Sequence, residues 1–313
     1  RESFMFGTNF SIKTKNNFIA FVLSICFFNI ISNQIAESQI TQDIKKFPEL
    51  RRKARTVTIF IHGSILKLPI LWRASKGCPL GLKQYSEICD ECNYKKVLRH
   101  LNEVDPNNYK TEDNYMFGWS GSLRGCQGEY ASKELYDQIH ELFENYKKKY
   151  GYIPNLRIIT HSNGSRIALY LGKIAKQLNN KQFRVQELIM LACPVQYVTG
   201  KLIPQRAFRK IYSIYSLSDW VQIIAPQRYK KFKSKKNCKR CLSPFFSSRC
   251  FMDYPNLLQA KVRVNGHGIS HSGFLRHKFI RKLPEVIDIL DQQGGKDKPN
   301  CKTSGQCGVL VKV

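Results

Sequence analysis

Three side chains in this sequence have the types and the order that nucleophilic acyl transfer needs: Ser162, Asp219 and His271. A serine hydroxyl is a weak nucleophile at its own pKa. It needs a base within hydrogen-bond reach and a carboxylate to hold that base. The intervals of 57 and 52 residues each leave room for one or two strand–helix units. Ahead of the serine, Leu156-Arg157-Ile158-Ile159-Thr160-His161 is a short β-branched apolar run. It stops at Ser162-Asn163-Gly164, and a helix-period pattern through Ile167, Ala168, Leu169 and Leu171 starts at once. Strand, sharp turn and helix in that order lift a serine hydroxyl out at the top of a sheet, the arrangement called a nucleophile elbow. The elbow asks for small residues two before and two after the serine. Gly164 meets the demand, whereas Thr160 stands where glycine is usual.

Each of these residues also has a plainer reading. Ser162 or Asn163 fits an ordinary helix cap in a strand-to-helix turn, and Asn163-Gly164-Ser165 matches a glycosylation sequon. Asp219 before Trp220-Val221 is a standard helix-start signal. His267 follows the same strand as His271 and is the rival base; His271 is preferred because His271-Ser272-Gly273-Phe274 opens a helix. His161 adjoins the serine, but on an elbow its side chain is expected to point away. His62 is expected to shape a loop rather than transfer a proton.

The elements that must position these groups can be followed along the chain. Residues 56–61 form a compact β-branched run ending at His62-Gly63-Ser64. Residues 65–112 read as a long irregular insertion with one helix near 94–103. A strand over 115–119 precedes Ser120-Gly121, and a helix over 130–150 carries Leu135, Ile139, Leu142 and Phe143 on one face. Further strands are expected over 185–193, 210–217 and 260–264. Residues 225–258 form a basic, cysteine-rich insertion, a closing helix covers 274–290, and a flexible tail occupies 293–313. Strand and helix alternate over most of 56–290, which predicts an α/β domain over 39–292 built on a doubly wound, mostly parallel sheet. In such sheets functional groups gather at the carboxyl ends of strands, where Ser64, Ser162, Asp219 and His271 all fall.

At this point the chain resembles the α/β-hydrolase superfamily, and within it lipase-like and esterase-like serine hydrolases. The resemblance covers about 56–290. It rests on strand-His62-Gly63, Trp119-Ser120-Gly121, Thr160-His161-Ser162-Asn163-Gly164, Tyr215-Ser216-Leu217-Ser218-Asp219 with Val221-Gln222, and His271-Ser272-Gly273-Phe274. The resemblance implies an α/β-hydrolase fold with the basic insertion before the catalytic histidine. Ser162 would attack an ester carbonyl, His271 would take and return the proton, and Asp219 would fix the imidazole tautomer. It also implies an oxyanion hole from the backbone N–H groups of Asn163 and Ser64, a lipid or other small ester as substrate, and no metal or organic cofactor.

Composition sets the wider frame. The 313 residues are 42% hydrophobic and 12% aromatic, enough for a proper core, which excludes a disordered basic protein. A net charge of +28 favours anionic partners such as membrane surfaces, although no DNA- or RNA-binding signature accompanies it. Lys13 and Lys15 precede an apolar run over 18–31, and Ala36-Glu37-Ser38 offers small residues where a signal peptidase reads. Residues 1–38 therefore read as a signal peptide, with an N-terminal anchor as the alternative, and the protein as exported. Eleven cysteines include Cys26 in that segment, so cleavage leaves ten, an even number suited to an oxidising compartment. Cys89/Cys92 and Cys238/Cys241 have C-x-x-C spacing, which fits disulfides or, less well, zinc. A non-catalytic protein on the same fold, binding anionic surfaces through its basic insertion, is the alternative function.

Overall fold

Apolar, β-branched runs without alternation fit strands covered on both faces, and four runs here obey that rule. The computed structural model describes residues 55–64, 78–122, 125–224, 247–293 and 308–313, with 125 and 126 as backbone only. The expected signal segment, and residues 225–246 of the basic insertion with Cys238 and Cys241, lie outside the described residues.

In chain order the elements are β1 (Thr56–Ile61), β2 (Gly81–Gln84), α1 (Lys95–Val104), β3 (Asn114–Gly118), α2 (Gly125–Tyr150), β4 (Asn155–His161), α3 (Gly164–Gln177), β5 (Val185–Leu191), α4 (Tyr197–Gly200), β6 (Phe208–Tyr215), α5 (Val221–Ile224), β7 (Leu257–Val264), β8 (His267–Gly268), α6 (His277–Ile280), α7 (Leu283–Gln293) and β9 (Val309–Lys312). The sheet order is β2-β3-β1-β4-β5-β6-β7-β8, with β9 also on β7. Pairings from β3 through β7 are parallel, and β9 joins in parallel. Only β2 on β3 and β8 on β7 run antiparallel. The expected mostly parallel α/β architecture is present.

Side chains alternate across this sheet, so each strand feeds two cores. Val57, Ile59 and Ile61 of β1 share one core with Leu135 and Ile139 of α2 and Leu169 and Leu171 of α3. Phe60 of β1 joins the other with Leu98 and Leu101 of α1, Phe279 of α6 and Leu283 of α7. The chain leaves β1 for β3 on one side and returns to β4 on the other. In open α/β sheets, such a reversal at the carboxyl ends of neighbouring strands is where ligands bind.

Two expectations need correction. The closing helix is broken: a 3-10 turn at His271–Leu275 is followed by α6 and then α7. Pro284 explains the second break, since its ring would meet the Ile280 carbonyl in a continuous helix but is tolerated in the first turn of α7. The tail also ends in regular structure, because Val309–Lys312 pairs with Ala260–Arg263 as β9.

Candidate active site

Ser162 has a left-handed backbone, φ +52°, between β4 and α3. A non-glycine residue held there costs about 1–2 kcal/mol, a strain that persists only where the surroundings impose it. Here they do: the Ser162 N–H extends the sheet ladder by donating to the Leu191 carbonyl at 2.8 Å, while the Ser162 carbonyl accepts from Ser165 N–H at 3.1 Å. Gly164 is required for a reason different from strand–helix crowding within the elbow. A Cβ there would lie 2.6 Å from the His62 carbonyl oxygen and 2.7 Å from that of Ile61, both at the end of β1. At Gly63 a Cβ would lie 2.9 Å from the Cβ of Ser162.

Thr160 is accommodated by a hydrogen bond. Fully buried, it sets its Oγ1 2.7 Å from the Oγ of Ser165, also fully buried. The residue that departs from glycine thus ties the last turn of β4 to the first turn of α3.

The Oδ2 of Asp219 lies 2.8 Å from the Nδ1 of His271, across 52 residues of sequence. The carboxylate accepts, so the proton sits on Nδ1 and the Nε2 of His271 is left as the basic nitrogen. Asp219 is completely buried and its second oxygen accepts from the Gln222 N–H at 3.1 Å. One carboxylate oxygen thus receives the first turn of α5 and the other receives His271. The guanidinium of Arg249 donates to the main-chain carbonyls of Leu217 and Asp219, both at 2.9 Å, fixing the loop rather than pairing with the carboxylate. The Gln222 side chain donates to the Cys193 carbonyl, which joins the ends of β5 and β6. Among the described residues no hydrogen bond joins Ser162 Oγ to His271. Such contacts are often long without substrate.

His161 does not point away from the site as expected. Its ring lies 4.7 Å from that of His271, and its Nε2–H donates to the His271 carbonyl oxygen at 3.0 Å. Burial, reinforced by the neighbouring His271, pushes the His161 imidazole down to about 3, so it stays neutral. His62 is also buried and neutral, pushed down to about 4 by burial. It sits stacked between Tyr94 and Trp119. Its Nδ1–H donates to the Gly63 carbonyl at 2.7 Å and its Nε2 accepts from the Trp119 N–H at 3.1 Å. With both nitrogens engaged it shapes the loop after β1. That loop carries Ser64, whose Oγ accepts from the Asn163 side-chain amide at 2.9 Å. Both expected oxyanion residues are therefore in direct contact.

His267 is exposed on β8 and has no part in this cluster. Cys92 stands in bonding position with Cys78, Cα atoms 5.1 Å apart, and not with its C-x-x-C neighbour Cys89, which is exposed. Among the described residues no group of three or more His, Cys, Asp or Glu side chains gathers as a metal site. Sequence reasoning missed Arg249, Gln222 as a loop tie, and the contact of His161 with His271.

No family model matches the chain, and no curated protein matches it. Among solved structures the chain is similar to phospholipase PlaB from Legionella pneumophila in complex with thio-NAD, with 15% identity and a TM-score of 0.30. That match covers 44% of this chain and only 25% of the phospholipase. The chain is also similar to a hyperthermophilic esterase from the archaeon Pyrobaculum calidifontis, at 11% identity and a TM-score of 0.36, over 77% of this chain and 74% of the esterase. Likenesses of this size decide nothing about the site.

Proposed function

We propose that the protein is a serine hydrolase of the α/β-hydrolase type that cleaves carboxylic esters. One observation carries this reading: His271 is hydrogen-bonded to the fully buried Asp219 and has its carbonyl held by His161, the residue just before a serine in a left-handed turn between strand and helix. The Nε2 of His271 takes the proton of Ser162 as the hydroxyl adds to the ester carbonyl. The same proton passes to the departing alcohol, leaving an acyl-enzyme, and water repeats the cycle with His271 as base. Asp219 holds the tautomer that keeps Nε2 free. The N–H groups of Asn163 and Ser64 receive the developing oxyanion, each such donor lowering the barrier by about 3 kcal/mol.

The apolar surface next to the acid favours a lipid ester as substrate. Trp220, Ile224 and Met252 are 71%, 59% and 68% exposed. The hydrogen bonds from Ser247 to Ile223 and from Arg249 to Asp219 tie their segments together. Large apolar side chains left in water beside a site indicate a greasy substrate or surface, and the net charge of +28 would hold the protein on anionic bilayers. Export, from the basic and apolar N-terminal sequence, completes the proposal. The test is hydrolysis of short acyl esters by Ser162→Ala: the reading requires loss of essentially all turnover, and full retention refutes it.

A further inference from the structure

A second cleft, of about 200 Å³, opens between the segment that delivers Asp219 and the segment that delivers His271. One wall is Ser216 and Ser218, at the end of β6; the other is Lys261 and Arg263 of β7 with His267 and Gly268 of β8. The walls are stitched together, since the Ser216 Oγ accepts from the Ile269 N–H at 2.8 Å. No carboxylate lines this cleft. Elsewhere in the sheet, Arg157 of β4 is matched by Glu187 and Lys210 of β6 by Asp291. Lys261 and Arg263 have no such partner among the described residues. Arg263 also stands level with Lys312 on β9, and like charges side by side on neighbouring strands repel. The sequence concentrates this imbalance. Residues 220–284 hold fifteen lysines and arginines against one carboxylate, Asp253, a net of +14 and half the charge of the whole chain.

We infer that this cleft binds a phosphate group. Lysine offers a compact charge, arginine a planar fork matched to two oxygens, and the serine hydroxyl and imidazole further donors. A tetrahedral oxyanion can accept from all of them and relieves the repulsion along β7 and β9. Bound there, it would bridge the residues just before Asp219 and those just before His271. That consequence for catalysis rests on the hydrolase reading, whereas the binding does not. The phosphate would come either from solution or from a phospholipid headgroup.

The test uses the full chain in two assays: calorimetric titration with inorganic phosphate, and co-sedimentation with phosphatidylcholine vesicles with or without phosphatidic acid. Lys261→Gln/Arg263→Gln is compared with Lys147→Gln/Lys148→Gln, which removes the same charge from the end of α2. The inference expects affinity to fall about tenfold or more in the first pair and less than about twofold in the second. Cleft-dependent binding of inorganic phosphate supports free phosphate as ligand; cleft-dependent binding only to phosphatidic acid supports the headgroup. Equal losses in both pairs, or no loss in the first, overturn the inference. If the double variant fails to fold, His267→Ala on the exposed turn must weaken binding by about threefold, and an unchanged affinity overturns it. Phosphonate labelling of Ser162, run in parallel, reports on the hydrolase reading separately.

Discussion

The Nε2–H of His161 donates to the main-chain carbonyl of His271 across 110 residues of sequence. The residue preceding the elbow serine thus grips the backbone of the proposed base. Because burial keeps His161 neutral, this is one directed hydrogen bond and adds no second charge beside the base.

His161→Phe should keep the aromatic packing and remove that donor. Losing a hydrogen bond to this part-buried carbonyl costs about 1 kcal/mol. If the bond places His271 for proton transfer, kcat/KM for a short ester should fall about tenfold or more. KM should hardly move, and Ser162 should remain reactive to phosphonate, more slowly. Unchanged kcat/KM would reduce His161 to packing.

Asp219→Asn should be nearly isosteric yet reverse the tautomer of His271, because the amide can donate to Nδ1. A fall in kcat of about ten-thousandfold is expected from a tautomer error of this kind. Circular dichroism should show the fold retained. A loss of less than tenfold would make the carboxylate a helix cap alone.

Stability should fall steeply on mild acidification. His62 and His161 are held down to about 4 and about 3 by burial, against an ordinary value of 6.5. Unfolded, both take up protons as pH drops through 6.5, whereas the fold refuses them. Their neutral burial therefore costs nothing above that pH, and stability is lost progressively below it until the folded values are reached. The combined slope should approach about 2.7 kcal/mol per pH unit between about pH 5.5 and 4. Urea unfolding at stepped pH measures it, and His161→Phe should remove about half.

Gly63→Ala forces a methyl against Ser162, whose Cβ lies 2.9 Å from the position it would take. Backbone must shift at the end of β1, where Ser64 and Asn163 meet. Activity should drop more than a hundredfold with at most about 3 kcal/mol of stability lost. Thr160→Val, by contrast, removes one hydrogen bond of the Ser165 hydroxyl, which keeps the Cys193 thiol, and should cost about 1 kcal/mol of stability with milder loss of activity.

The parallel sheet and the positions of its inner strands were legible because β1, β4, β5 and β6 are largely apolar and buried through their carboxyl halves. Short edge elements were not. β2 and β8 are four and two residues long, and β9 is held by pairing with β7 more than by its own pattern. Asp219 and His271 were readable as strand-end residues in the right order, and their hydrogen bond follows from the topology. The side-chain direction of His161 was not, since the turn at Ser162 depends on contacts with β1 that sequence does not display. Cys92 pairs by proximity to Cys78, fourteen residues away, which its spacing from Cys89 obscures.

Labelling with a fluorophosphonate followed by peptide mapping addresses the proposed chemistry most directly. The account expects one modified residue, Ser162, with labelling slowed severely in His271→Ala. Modification of another serine, or none under conditions where a short ester is hydrolysed, would contradict it.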